Sequence, residues 1–151
     1  MKRTFYFIIL LLLPVLTAAG QVIDPVHWEF TARKTGENTY DVYATASMDD
    51  PWHIYSQYTD EGGPLPTTFD FKEQPGLSLR GKPSESGALI EKYEAVFMVE
   101  TRYYAGMVDF IQKVEKHTAK PVGMKGSVTY MACTEEQCLT PQEVEFEVVL
   151  D

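Results

Sequence analysis

Near the C-terminus the chain alternates residue by residue, with Val144, Phe146, Val148 and Leu150 on one side of the pattern and Glu143, Glu145 and Glu147 on the other. Period two is the repeat of a strand with one face in a core and one in water, and a helix cannot carry it. Thr39 to Met48 repeats it, setting Tyr40, Val42, Ala44, Ala46 and Met48 against Asp41, Tyr43, Thr45 and Ser47. Shorter runs rich in β-branched and aromatic residues predict further strands at Val26–Ala32, His53–Gln57, Thr67–Phe71, Leu77–Arg80, Ala95–Glu100, Met107–Glu115 and Ser127–Met131. Turns are predicted at Lys34–Asn38, Gly62-Gly63-Pro64, Gln74-Pro75-Gly76, Gly81-Lys82-Pro83 and Pro121-Val122-Gly123. No segment keeps a helical apolar stripe over three turns. At 151 residues the chain has room for one core. The expected fold is therefore all-β, an immunoglobulin-like antiparallel β-sandwich, with a small barrel as the second choice.

The first twenty residues have a different grammar. Lys2 and Arg3 precede an apolar run from Phe5 to Leu16, and Ala18-Ala19-Gly20 offers small residues to a signal peptidase. Residues 1–20 are expected to be a cleaved export signal, with an uncleaved anchor as the alternative, and residues 21–151 the working domain. No cysteine near the cleavage site supports a lipid anchor, and no later stretch approaches the roughly 20 apolar residues of a membrane-spanning helix. Removing the leader leaves 11 basic against 22 acidic side chains, since Lys2 and Arg3 are two of the 13 cations. So acidic a surface argues against nucleic acid as a partner. Glutamates on the outer face of the last strand discourage edge pairing, and a monomer is expected.

Export changes what two cysteines mean, because disulfides form and persist outside the cytoplasm. Cys133 and Cys138 sit between two predicted strands with four residues between them, close enough to bridge. As a staple such a bridge closes a very small ring and stabilises little, roughly 2 kcal/mol in the chain-entropy model. As a redox couple it would open and close. Both readings stand on these residues alone. Glu135 and Glu136 lie inside the ring and the nearest preceding cations are Lys125 and Lys120, so local charge disfavours a thiolate. His27, His53 and His117 show no metal-ligand spacing, so no metal site is expected. No G-x-S-x-G nucleophile motif occurs, and Asp49-Asp50 and Asp60-Glu61 read as solvated turns. Nine Tyr and two Trp keep a second class open: a non-catalytic secreted module binding protein or carbohydrate, with Cys133–Cys138 as a clasp. Most aromatics fall at alternating positions and read as core. In Tyr103-Tyr104, one ring should face the core and the other a surface or site.

Several motifs resemble one family. They are Trp52-His53-Ile54-Tyr55, Gly62-Gly63-Pro64, Phe97 seven residues before Tyr104, and Val128-Thr129-Tyr130 leading into Cys133, Cys138 and Pro141. From Trp28 to Leu150 the chain resembles the N-terminal periplasmic domain of the thiol:disulfide interchange protein DsbD and its single-domain relatives. The resemblance implies an immunoglobulin-like domain whose cysteines cycle between dithiol and disulfide. It would take reducing equivalents from a thioredoxin-like donor, expected on a separate chain, and pass them to oxidised exported proteins. Cys138 matches the cysteine that forms the mixed disulfide, and Cys133 would resolve it. Phe97, within Tyr93–Val99, matches an aromatic cap over the pair, and Tyr55 matches a tyrosine near it. No cofactor beyond the cysteines is implied. The family pattern has five residues between its cysteines and an acidic pair before the cap. Here there are four residues, and Ala95-Val96 with Glu94 one step earlier, so proton transfer would fall to Glu94, Glu135 or Glu136.

Overall fold

A computed structural model describes residues 23–95 and 98–151. The expected leader, residues 1–20, and Phe97 lie outside them. Among the described residues, nine strands make the regular structure: β1 (Val26–Lys34), β2 (Thr39–Met48), β3 (His53–Tyr55), β4 (Thr68–Phe71), β5 (Leu77–Glu94), β6 (Val99–Lys116), β7 (Val122–Tyr130), β8 (Ala132–Cys133) and β9 (Gln142–Leu150). All pairings are antiparallel. The larger sheet runs β1-β2-β6-β3-β8, and the smaller runs β4-β7-β9. The long β6 organises the larger sheet. One of its edges takes β2 along Met107–Glu115 and β3 along Tyr103–Ala105, while the other takes β5.

The alternating residues do what their period requires. In β9, Phe146, Val148 and Leu150 are buried and Glu143, Glu145 and Glu147 are exposed. Aromatic rings bridge the two sheets: Trp28 lies 5.4 Å from Tyr130, Phe69 lies 5.2 Å from Phe110, and Phe30 stacks on Phe146 at 4.4 Å. Such pairs add about 0.5–1.5 kcal/mol each beyond their area burial. Two faced antiparallel sheets with this core make an immunoglobulin-like sandwich, as the alternation predicts, rather than a closed barrel.

Three local expectations are corrected. Leu77–Arg80 does not end at Gly81-Lys82-Pro83. β5 continues to Glu94, and the proline segment becomes a bulge, with a register shift between Arg80 and Ser84 and Gly81 at φ 67°. The neighbouring β6 offers hydrogen-bonding partners beyond the interruption, so pairing overrides the local turn signal. Ala95–Glu100 is not one strand, because β5 ends at Glu94 and β6 starts at Val99, with Ala95 and Met98 in the turn. Finally, Val122 and Gly123 open β7 instead of forming a turn.

Candidate functional site

β3 is three residues long, and its centre and flanks have different tasks. Ile54 points inward, fully buried, between Tyr104 of β6 and Ala132 of β8. His53 and Tyr55 must then point outward. His53 stands opposite Cys133 on one side and Ala105 on the other, while Tyr55 stands opposite Tyr103. On the outer face of a sheet these residues would ordinarily meet water. Yet His53 is 7% exposed and Tyr55 6%. They cover one another: the His53 and Tyr103 rings are 4.3 Å apart, and His53 Nε2 lies 3.2 Å from the Tyr55 hydroxyl.

The end of β3 is fixed by polar contacts. The Tyr55 carbonyl accepts hydrogen bonds from Thr67 Oγ1 at 2.5 Å and Thr67 N at 3.3 Å. Just beyond, the Glu85 carboxylate accepts from Ser56 Oγ and Gln57 N, each at 2.7 Å, and from the Tyr104 hydroxyl at 2.8 Å. Glu85 thus ties β3 to the middle of β5. Tyr104 is the inward ring of its pair and Tyr103 the outward one, as adjacent strand residues require.

Cys133 and Cys138 form a disulfide across a tight hairpin, with α-carbons 4.0 Å apart. Thr134 N donates to Gln137 O at 2.7 Å, and Leu139 N to Ala132 O at 2.8 Å. Thr134 Oγ1 accepts from Glu136 N and Gln137 N, both at 3.2 Å, the local bonding by which threonine stabilises a turn. The sulfurs' residues differ sharply in access: Cys133 is 0% exposed, whereas Cys138 is exposed.

Cys138 borders a cleft of about 270 Å³ that His53, Tyr55, Pro64 and Glu94 also line. The Gly62-Gly63-Pro64 turn delivers Pro64 to it. Gly62 has φ 91°, and a β-carbon on Gly63 would lie 2.9 Å from Val99 Cγ2, so the turn packs where only glycine fits. Larger depressions of about 640 and 600 Å³ lie by Leu79 and Met124 and by Trp28 and Tyr130, but neither contains a cysteine. Of the residues named from sequence, the structure brings Cys133, Cys138, Tyr55 and Glu94 together.

Sequence reading missed two neighbours, His53 as a site residue and Lys92; of Tyr103-Tyr104, expected to send one ring toward a surface or site, it is Tyr103 that covers His53. Lys92 Nζ lies 2.5 Å from Glu135 and 3.2 Å from Glu94, which puts a cation beside the ring that linear charge counting made purely acidic. Lys92 holds the Glu135 carboxyl below its usual range through that hydrogen bond. In return, Glu135 and Glu94 raise the Lys92 ammonium. Burial lowers His53 below 6.5, with Lys92 reinforcing and Glu135 and Glu94 opposing. Burial, then Glu94, pushes the Tyr55 phenol up to about 12. A signal for both was available, since His53 is two residues from Tyr55 and Lys92 two from Glu94, each on the same strand face.

Among the described residues, no helix is long and apolar enough to cross a membrane. The sequence profile of the family described as thiol:disulfide interchange protein DsbD, N-terminal, matches residues 21–150. Among solved structures, the Neisseria meningitidis DsbD N-terminal domain in its reduced form is similar at 20% identity and a TM-score of 0.50, covering 74% of this chain and 77% of that one. The complex between the DsbD N-terminal and PilB N-terminal domains of the same organism matches at 20% identity and a TM-score of 0.50, covering 90% of this chain and 86% of that one. No curated protein matches in sequence.

Proposed function

The chain belongs to the family of DsbD N-terminal thiol:disulfide interchange domains, and from that premise we propose that it is an exported reductant whose Cys133/Cys138 couple passes electrons to oxidised periplasmic proteins. Residues 1–20 direct export and residues 21–151 do the work, as a monomer. A thioredoxin-like donor on a separate chain recharges the couple. The structure of DsbD's N-terminal domain in complex with the PilB N-terminal domain supports a protein partner for the relative.

The observation that carries this reading is the unequal access of the two cysteines. Exchange proceeds by thiolate attack along an open approach to one sulfur. Cys138 borders the cleft and is open to a partner, while Cys133 is sealed within the sheet. Cys138 therefore forms the mixed disulfide and Cys133 resolves it. Tyr55 and Glu94 shape the cleft, and Phe97 caps the pair until a partner displaces it.

Three measurements test this. The reduction potential of the couple should fall between roughly −270 and −120 mV, the range of exchange proteins, whereas a value below about −300 mV would mark a structural clasp. Cys133→Ser should accumulate mixed disulfides through Cys138, and Cys138→Ser should not. Accumulation only in Cys138→Ser overturns the roles. For the cap, Phe97→Ala should speed attack by a small thiol on the oxidised pair. A lowered melting point with no change in rate would remove Phe97 from the mechanism.

A further inference from the structure

Cys133 must lose a proton to become the resolving nucleophile, yet it is 0% exposed. A thiol shut away from solvent cannot pass its proton directly to bulk water, so an internal acceptor is needed. In the β3–β8 ladder, His53 is the residue directly opposite Cys133, and directly opposed β-carbons are about 5 Å apart. The same imidazole lines the cleft that Cys138 borders. We propose that His53 accepts the Cys133 proton in the resolving step, an inference that rests on the exchange reading above.

The surroundings favour His53 over the carboxylates. On β5 and the cysteine hairpin, Glu94 and Glu135 are both ion-paired to Lys92, and that pairing weakens Glu135 as a base. From β3, the Tyr55 hydroxyl lies 3.2 Å from Nε2; in the tautomer in which Nε2–H donates to that oxygen, Nδ1 holds the lone pair that takes the proton. From β6, the Tyr103 ring packs on the imidazole. Glu94 and Glu135 favour an imidazolium and Lys92 opposes it, and burial, the largest influence, keeps the ring neutral near pH 7. A neutral imidazole is ready to accept.

The step balances. Cys138 thiolate attacks a client disulfide, the Cys138–client bond forms, and the first client thiolate leaves. Cys133 then gives its proton to His53 and attacks Cys138 Sγ. The Cys133–Cys138 bond forms, the mixed disulfide breaks, and the second client thiolate leaves and takes the proton from His53. Two electrons pass from the cysteine pair to the client.

Rapid-mixing oxidation of the reduced protein by 5,5′-dithiobis(2-nitrobenzoate) separates the two events, because one coloured thiolate is released when Cys138 attacks and a second when Cys133 resolves. The second phase should rise with pH through an inflection that coincides with the His53 ring titration followed by NMR on the reduced protein. His53→Gln should slow that phase roughly 100-fold at pH 7, the low end for positioned acid–base catalysis, and abolish the inflection. A second phase that keeps its rate and inflection in His53→Gln overturns the proposal. Should that variant not fold, the wild-type profile decides: an inflection coincident with the ring titration supports the proposal and one displaced from it overturns it. A wild-type disulfide that can be reduced only in denaturant would instead sink the exchange reading itself.

Discussion

β9 and β3 follow the same period-two rule and end in opposite environments. In β9 the outward residues Glu143, Glu145 and Glu147 stand in solvent, and the strand is half buried as its pattern implies. In β3 the outward residues His53 and Tyr55 are buried almost as completely as the inward Ile54. The difference lies in what covers each strand. β9 is an edge of the smaller sheet, with β7 alone beside it. β3 has β6 on one side and the cysteine hairpin on the other, and Tyr103 closes over its outer face. The site is thus a small second layer on the outside of a sandwich, where sulfur chemistry gains a partly dry environment without a cavity in the main core.

Variants that attack the two layers separately break or sharpen this comparison. The largest effect is expected beneath the site. Ile54→Ala removes a fully buried side chain that fixes β3 between β6 and β8, and should cost about 2–5 kcal/mol in denaturant unfolding. It should also loosen the disulfide hairpin. A loss below about 1 kcal/mol would mean that the outer layer, not the core, holds β3. A smaller effect is expected above it. Gly63→Ala places a β-carbon 2.9 Å from Val99 Cγ2, so the turn carrying Pro64 has to shift. Overpacking of this kind costs about 1–3 kcal/mol. Attack on Cys138 by a small thiol should become faster as the cleft opens. An unchanged rate would remove the turn from control of access.

The contrast also explains what the sequence disclosed. Side chains that alternate between core and water are legible, and β2, β9 and the sandwich follow from them. β5 escapes a local reading because Gly81-Lys82-Pro83 is a turn signal by itself and a bulge once β6 is paired alongside. Within the site, Cys133 and Cys138 are legible from export and spacing, Tyr55 and Glu94 from the comparison with the family pattern, and the structure sets Cys138, with Cys133 bonded to it, at one cleft with Tyr55 and Glu94. His53 and Lys92 share strand faces with Tyr55 and Glu94, but that they, and which of Tyr103 and Tyr104, meet the cysteines depends on cross-strand register. Cys133 and Lys92 are 41 residues apart in sequence, yet Glu135 in the cysteine ring meets Lys92 at 2.5 Å. The resemblance also names Phe97, which lies outside the described residues.

The acid limb of stability gives a finer comparison of the same two strands. The folded protein binds a proton at His53 more weakly than the unfolded chain does, because burial penalises the imidazolium. Between the lowered folded value and 6.5, the unfolded state holds more of that proton. The His53 contribution is therefore fully present above pH 6.5 and is lost as pH falls through the folded value. Unfolding midpoints measured across this window should show a step that His53→Gln lacks. The smallest effect belongs to β9. Glu145 is exposed and meets Lys72 at 3.6 Å, an ion pair that solvent screens, so Glu145→Ala should change stability by no more than about 0.5 kcal/mol. If Glu145→Ala instead costs as much as Gly63→Ala, the outer face of the smaller sheet is structured too. The burial of outward residues at β3 would then no longer distinguish the site from the rest of the sandwich.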